Sequence, residues 1–409
     1  MSRPRALVLT PRLPWPLDDG GRVALWQTVW SAARHCETTL LSMVSPGEGS
    51  DGAVRAVSAL GARCETVVHR APGVVRSVMR SLSGPWPYTL ARYRSGPYER
   101  RLRELVGSLR PDFVLVNHLH LATYADAMSG VALVLREHNL EHLWLRRYAH
   151  QLPPGPTRAF AVWQADRLEV VEADLCRRMD LVLAIQEEER AALEKMVPGK
   201  PVVTLPVGVD FARFESPQPA DPPVVLLAAS FTLPHAVLGA RRFLREVWPD
   251  VRAHHPTARL RLVGKNLPED LADETRRAHG EPVGYVDSIA GEFSRSTMLV
   301  VPLWVGGGAR VKIVEALAAR LAVVSTTLGL EGLGLTPGVH ALEADDGPAM
   351  AAAVRSLLEE PGRARALARS GYEFASSHFS LEPVARRMVD LCLESAAALG
   401  ARASGALPR

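Results

Sequence analysis

The residues of this chain best suited to chemistry form one short stretch in which a run of glycines is followed by two cations and a carboxylate. They are Gly306, Gly307 and Gly308, then Arg310, Lys312 and Glu315. The glycines stand where a helical pattern begins, and the first backbone N–H groups of a helix carry the positive end of its dipole. Phosphate binds well at such a position, and the two cations add fixed positive charge. The stretch therefore predicts a clamp for a nucleoside diphosphate.

The same glycines could form no more than a tight turn. The stretch matches neither G-x-G-x-x-G nor the P-loop pattern, so neither phosphate-binding fingerprint applies. The first turn of a helix usually favours acidic residues, and two cations there oppose the helix dipole unless an anion lies between them. Lys312 is also one of only four lysines among 48 basic residues. These points favour phosphate binding over a purely structural turn.

The elements that position this stretch are a strand, a helix and a second strand. The apolar run Met298–Leu303 predicts the first strand, and Leu321–Ser325 predicts the second. Between them, Val311, Val314 and Leu317 recur at helical spacing. The sequence therefore indicates a βαβ unit whose glycine turn presents the N-terminus of the helix.

Pro302–Ala316 resembles the C-terminal signature of the family 4 (group 1) glycosyltransferases, which have the GT-B fold. That signature contains two glutamates separated by seven residues, and Glu315 with the following Ala-Leu-Ala matches its second half. Gly307 occupies the position of the first glutamate, which resembles a G-G-G-x-R-x-K variant within the family. The resemblance implies a retaining, metal-independent transfer of a sugar from a nucleoside-diphosphate sugar, with no cofactor. In many relatives the loop after the second domain's first strand carries an arginine and a lysine, whereas Ser230–Ala236 has neither, so we expect Arg310 and Lys312 to replace them.

The rest of the chain consists of two consecutive α/β halves. Predicted strands begin the first half at Ala6–Thr10 and the second at Val224–Ala229. The resemblance implies an α/β GT-B fold with two Rossmann-like domains facing each other across a cleft. Residues 1–212 are expected to bind the acceptor, 213–380 the nucleotide sugar, and 381–409 to form a helix that returns to the first domain, with a tail.

Polar residues follow two strands predicted for the first half. His118 and His120 come just after one strand, and His138 and Asn139 come just after the next. The carboxyl ends of parallel strands are where α/β folds bind ligands, although a lone histidine is more often structural. His138 matches the strand-end histidine that lies near the transferred sugar in the resembled family. At the end of the preceding strand, the family's more usual histidine position is occupied here by Asn117, so His118 matches less well.

Residue roles follow from these motifs and from the resemblance. Arg310 and Lys312 are expected to stabilise the leaving diphosphate in place of a metal ion, because no D-x-D pair is present to hold one. Glu315 is expected to accept hydrogen bonds from the ribose hydroxyls, and His138 to act at the sugar. The donor-binding set is Gly20, Gly21, Gly306, Gly307, Gly308, Arg310, Lys312 and Glu315; the set on the sugar or acceptor side is Arg22, His118 and Asn139.

Between Arg70 and Arg110, nine arginines face only two acids and alternate with aromatic residues. Such interleaving suits a membrane interface, where rings lie at headgroup level and arginines meet lipid phosphates. It also suits the binding of a phosphorylated acceptor, and a solvated helical face explains it equally. We expect this segment to make peripheral membrane contact and to serve a glycan, lipid-linked or small-molecule acceptor.

Composition narrows the class of protein further. A chain of 409 residues with 47% hydrophobic residues is long enough for two cores. The net charge of +4 is too small to indicate a nucleic-acid partner. The four cysteines form no C-x-x-C pair, and neither a signal peptide nor a long apolar run is evident. We therefore expect a cytoplasmic protein that can lie peripherally at the inner membrane face. Two alternatives to a transferase stay open, a GT-B sugar-nucleotide epimerase and a non-catalytic sugar-nucleotide-binding protein.

Overall fold

Two parallel sheets, each buried on both faces, account for most of the core in the computed structural model. The structure describes residues 3–17, 19–48, 50–214, 220–305 and 310–403. The chain divides into a first unit of Met1–Leu17, Gly21–Val207 and Glu382–Arg409, and a second unit of Asp18–Gly20 and Gly208–Leu381. The predicted division lay a few residues later, after residue 212.

Among the described residues, seven strands and nine α-helices form the part of the first unit that comes before the second unit in the chain. The strands are β1 (Arg5–Thr10), β2 (Glu37–Val44), β3 (Arg63–Val68), β4 (Phe113–Asn117), β5 (Ala132–Glu137), β6 (Leu181–Ala184) and β7 (Val202–Thr204). The helices are α1 (Gly20–His35), α2 (Asp51–Ala59), α3 (Val74–Ser83), α4 (Tyr88–Ala91), α5 (Gly96–Leu109), α6 (Leu119–Ala122), α7 (Glu141–Gln151), α8 (Pro156–Arg178) and α9 (Glu187–Met196).

The strand order of the first sheet is β3-β2-β1-β4-β5-β6-β7, and all of its pairs are parallel. The order reverses between β1 and β4, which is the point where doubly wound sheets open a crevice for ligands. Along β1, Leu7 and Leu9 pack into one apolar cluster, and Ala6 and Val8 pack into another on the opposite face. This alternation explains why the strand is apolar throughout instead of at every second position.

The second unit repeats this plan, with six strands in the part of it that the structure describes. They are β8 (Val224–Ala228), β9 (Arg259–Val263), β10 (Glu281–Gly284), β11 (Met298–Val301), β12 (Ala322–Ser325) and β13 (Leu342–Glu343), in the order β10-β9-β8-β11-β12-β13. Its helices are α10 (Pro234–Glu246), α11 (Trp248–His254), α12 (Glu269–Arg277), α13 (Ile289–Ser294), α14 (Val311–Ala318), α15 (Thr327–Leu330), α16 (Gly347–Glu359) and α17 (Pro361–Phe379). The reversal of strand order falls between β8 and β11.

The last helix, α18 (Leu381–Ala403), packs on the first unit. Its buried side chains Val384, Met388 and Cys392 lie in the same apolar cluster as Val8 and Leu115. The helix extends to Ala403, within the segment 381–409 that was predicted to hold a helix and a tail.

The central βαβ unit forms as predicted, with β11, α14 and β12 in sequence. The predicted glycines Gly306, Gly307 and Gly308 lie outside the described residues. Gly20 and Gly21, which were predicted to bind the donor, both belong to the first turn of α1. Among the described residues, no helix combines the length and the apolar character that crossing a bilayer requires.

Candidate active site

Lys312 lies where the strand order of the second sheet reverses. Its Nζ donates a hydrogen bond of 3.0 Å to the carbonyl oxygen of Ala228, the last residue of the central strand β8. The side chain reaches this strand end because Lys312 is the second residue of α14, which follows the neighbouring strand β11. A cation is thereby held at the carboxyl edge of the sheet, where α/β folds bind their ligands.

Arg310 is held beside this position by the loop that follows β12. Its Nη2 donates to the carbonyl oxygen of Leu328 at 2.8 Å, and the same nitrogen is 3.7 Å from the Glu331 carboxylate. The residue is only 7% exposed, so its charge is poorly solvated. A backbone oxygen and one carboxylate thus fix the guanidinium, whose charge stays positive at neutral pH.

Lys312 and Glu315 share a desolvated environment that brings their protonation equilibria close to neutral pH. Burial lowers the pKa of Lys312 to about 8, with Arg310 adding to the effect and Glu315 opposing it. Burial raises the pKa of Glu315 to about 7, although Arg213 and Lys312 pull it down. Both groups are therefore poised to respond to a bound ligand, since a nearby diphosphate would favour the charged form of the lysine.

His235 is a site residue that the sequence analysis missed. It lies in the first turn of α10, and its pKa is lowered by burial and then by the positive charges of Lys312 and Arg310. The neutral imidazole can donate or accept a hydrogen bond without adding charge. The signal for it is its place in the loop Ser230–Ala236, which contains a histidine but neither an arginine nor a lysine.

In the first unit, Asn117 fixes His138 over the reversal point of the sheet. The Asn117 Nδ2 donates to the carbonyl oxygen of Leu9 in β1 at 3.0 Å, and its Oδ1 lies 3.3 Å from the Nε2 of His138. His118 stacks on His138 with ring centroids 4.0 Å apart and planes 16° from parallel. These contacts join the ends of β1, β4 and β5 into one polar cluster.

The two stacked histidines are neutral near pH 7. Burial lowers the pKa of His138 well below its ordinary value, with His118, Arg136 and Arg12 adding to the effect. Burial likewise lowers the pKa of His118 to about 3. His118 also adopts a φ of 66°, a conformation that is uncommon for residues other than glycine and that often marks functional sites.

The remaining predicted residues from the N-terminal part of the chain are Gly20, Gly21, Arg22 and Asn139. Gly20 and Gly21 supply backbone at the N-terminus of α1, and the Arg22 Nη2 lies 3.5 Å from the Glu48 carboxylate. Asn139 is partly exposed beside His138. The structure thus brings Arg310, Lys312 and Glu315 together with His235 in the second unit, and His118 with His138 in the first.

Two family models match the two halves of the chain. Residues 222–360 match the model described as glycosyl transferases group 1, and residues 52–213 match the model described as glycosyltransferase family 4. The chain is a glycosyltransferase. Arg310, Lys312 and Glu315 fall within the first of these matches, and His118 and His138 fall within the second.

Similar proteins align with the glycosyltransferase over nearly its whole length. It is 19% identical over 394 residues to an uncharacterized 44.6 kDa protein in the cps region of Klebsiella pneumoniae, covering 93% of this chain and 97% of that one. Sucrose-phosphate synthase from Thermosynechococcus elongatus has a TM-score of 0.70 at 18% identity, covering 97% of this chain and 100% of the other. Anabaena HepE in complex with UDP and glucose has a TM-score of 0.67 at 13% identity, covering 94% and 98%.

These likenesses establish the fold of the glycosyltransferase. The predicted α/β fold of GT-B type, with two Rossmann-like domains, is confirmed. The predicted enzyme class is confirmed as well. The G-G-G-x-R-x-K variant stays a prediction, since its glycines lie outside the described residues.

Proposed function

We propose that this glycosyltransferase moves a sugar from a nucleoside-diphosphate sugar to an acceptor with retention of configuration and without a metal ion. The observation that carries the proposal is the placement of Lys312 and Arg310 at the carboxyl edge of the second sheet, next to Glu315. Breaking the bond between the sugar C1 and the phosphate oxygen develops negative charge on the diphosphate. Two poorly solvated cations stabilise that charge as a bound Mg²⁺ would.

Glu315 binds the ribose of the donor. As a carboxylate it offers two oxygens to the vicinal hydroxyls, and its position three residues after Lys312 on α14 lets one helix hold both ends of the nucleotide. HepE, which shares the fold, was solved with UDP and glucose, so UDP-sugars are the first donors to test.

His138 is the residue of the first unit that we propose to bind a sugar hydroxyl. Its neutral imidazole, fixed by Asn117 and stacked on His118, can accept or donate one hydrogen bond to a sugar hydroxyl. The acceptor oxygen forms a bond to C1 as the bond to the phosphate breaks, and the departing phosphate oxygen takes the acceptor proton. Retention then follows from a front-side reaction, which needs no protein nucleophile.

The acceptor side includes a membrane-facing surface on α3. This α3 surface consists of Val74, Val75, Met79 and Leu82 with Arg76 and Arg80. The four apolar side chains are 57% to 78% exposed, whereas the buried face of the helix carries Ser77 and Ser81. A helix that buries serines and exposes valine, methionine and leucine is suited to lie in a lipid interface, with its arginines at the headgroups.

A cavity beside the α3 surface fits an anionic headgroup. Its volume is about 490 Å³, and Arg80, Arg94 and Trp86 are among its lining residues. Arg94 in this cavity pairs with Glu99, which also lines it, so Arg80 is the lining arginine that we propose for the headgroup. Elsewhere in the arginine-rich segment, Arg101 pairs with Glu65 and Arg103 pairs with Glu99. The lipid-facing function therefore belongs to α3 and this cavity, and the enzyme acts as a peripheral protein at the inner membrane face on a lipid-linked or envelope glycan acceptor.

Donor binding and turnover test the proposal separately. Thermal shift with a panel of nucleotide sugars identifies the donor, because a ligand at 100 times its Kd stabilises the folded state by about 2.7 kcal/mol. Release of nucleoside diphosphate is then measured with and without candidate acceptors, and the anomeric configuration of the product is read by NMR. Epimerisation of the donor alone would indicate an epimerase instead, and tight binding without turnover on any acceptor would indicate a binding protein. An inverted product would contradict the retaining mechanism.

A further inference from the structure

We propose that His118, His120 and Glu141 bind a transition-metal ion in the first unit, with zinc as the best-suited ion. One ligand atom from each side chain lies within 4.8 Å of the other two. Two imidazoles and one carboxylate are a ligand set that zinc takes readily, and it leaves a coordination position open. This inference goes beyond the proposed function, whose donor chemistry needs no metal.

The three residues come from two adjacent strand ends. His118 follows β4, His120 lies in the short helix α6, and Glu141 is the first residue of α7 after β5. The backbone N–H of Glu141 donates to the buried Glu172 carboxylate at 2.9 Å, which fixes the start of α7. The Tyr93 ring packs on the His120 ring at 4.3 Å between centroids, which restricts its rotation. The site is therefore held from several sides by its own domain.

An unsatisfied polar atom points to a missing ligand. The Nδ1 of His120 is buried and has no hydrogen-bond partner among the described residues. Leaving a buried polar group unpaired costs about 1–3 kcal/mol, so proteins rarely retain one without a reason. A metal ion bound through this nitrogen would satisfy it.

The surrounding charge is mixed. Glu141 interacts with the nearby carboxyl groups of Glu172 and Glu137, and a bound cation would offset their mutual repulsion. Arg12 lies close enough to His118 to act against a cation there. We therefore expect the ion to be held less tightly than in a closed site with four protein ligands.

Binding requires only small side-chain movements. Zinc–nitrogen bonds of about 2.0–2.1 Å in tetrahedral geometry place ligand atoms roughly 3.3 Å apart, so the side chains must close by on the order of 1 Å. The open coordination position would accept water or an oxygen of the acceptor. The ion would thus organise the acceptor side of the enzyme, next to His138, on which His118 stacks.

Calorimetric titration of chelator-treated protein with ZnSO₄ tests the site without any nucleotide sugar. We expect about one zinc per chain, and Co²⁺ in its place should give the visible d–d bands of a four- or five-coordinate site. His120→Gln and Glu141→Gln should each weaken binding by at least ~100-fold, the upper end of what losing an outer-shell partner costs. His150→Gln, which removes an exposed histidine of α7, is the matched control and should bind as wild type.

X-ray absorption on zinc-loaded wild-type protein keeps the test valid if a variant fails to fold. Two imidazoles and light-atom ligands at about 2.0–2.1 Å are expected. Wild-type protein that binds no zinc at micromolar concentration would overturn the proposal, as would binding that survives in both variants. Either result would leave these side chains as hydrogen-bonding groups for the acceptor, and the donor chemistry would be unaffected.

Discussion

At the scale of single residues, we expect Arg310 and Lys312 to act on the diphosphate of the donor and Glu315 to bind its ribose. Arg310→Ala and Lys312→Ala should each lower kcat, by roughly 10²–10³-fold, because they remove a group that stabilises charge appearing in the transition state. Glu315→Gln should mainly raise the donor KM, because hydrogen bonds to the ribose are similar before and during the reaction. Steady-state kinetics with the donor varied separates the two effects.

The exposed Lys195 and Arg277 provide matched controls for these substitutions. Lys195→Ala and Arg277→Ala remove one positive charge each, far from α14 in the chain, and should leave kcat and KM unchanged. Should all three α14 variants behave like these controls, α14 would not be the donor clamp.

The pH dependence of kcat/KM for the donor reports the protonation states of Lys312 and Glu315 on the same helix. Lys312 has its pKa lowered to about 8, so its stabilising charge is present below that pH and is lost as pH rises through it. Glu315 has its pKa raised to about 7, so its second acceptor oxygen is lost as pH falls through that value. We expect a bell-shaped profile with its maximum between these two values.

Lys312→Arg is the sharpest check of the alkaline limb. The guanidinium stays charged up to a pH above 12, so this variant should keep its activity well above pH 8. Lys195→Arg should retain the wild-type profile. An alkaline limb that persists unchanged in Lys312→Arg would assign it to another group.

At the scale of elements, α3 should decide membrane binding. The double substitution Arg76→Gln/Arg80→Gln should weaken co-sedimentation with anionic vesicles by roughly 30-fold at low salt, at about 1 kcal/mol per arginine. Val75→Ser/Met79→Ser should weaken it further and at all salt concentrations, because it removes apolar area.

Leu238→Ser, at another exposed apolar position in the second unit, serves as the control and should bind vesicles like the wild type. Wild-type protein that ignores both lipid charge and salt would show that the α3 surface has another partner.

The packing of α10 on the second sheet depends on one glycine. A Cβ added at Gly239 would lie 2.3 Å from the carbonyl oxygen of Pro302, and this backbone atom cannot move aside easily. Gly239→Ala should therefore destabilise the protein by about 1–3 kcal/mol. Gly362→Ala in α17 meets nothing within 4 Å and should cause no loss. Urea denaturation of both variants checks the difference, and equal midpoints would contradict the close approach.

At the scale of the whole molecule, catalysis should not depend on Mg²⁺ or Mn²⁺. The cations that replace a metal at the diphosphate are Arg310 and Lys312, both fixed by backbone carbonyl oxygens. EDTA should therefore leave kcat at saturating acceptor nearly unchanged. A complete loss of activity that Mg²⁺ or Mn²⁺ restores would refute this, whereas a zinc-specific change in acceptor KM would point to the site of His118, His120 and Glu141.

Local pattern determined much of the fold. The apolar runs of β1, β8 and β11 are continuous because both faces of each sheet are buried, and such runs identify parallel strands without any tertiary information. The helical spacing of Val311, Val314 and Leu317 likewise identified α14. Together with the resemblance of Pro302–Ala316, these patterns gave the GT-B plan and the transferase class.

Tertiary structure decided which polar groups meet. Nothing in the local sequence places His235 beside Lys312, or His120 beside Glu141, because each pair is separated by many residues and is brought together only by the order of the strands. The sequence also did not indicate which face of α3 is exposed. The buried face carries Ser77 and Ser81, whereas residue polarity alone predicts that the serines face the solvent. Periodicity reports which residues avoid water locally, whereas the neighbours of a polar group depend on sheet topology, which the chain acquires only on folding.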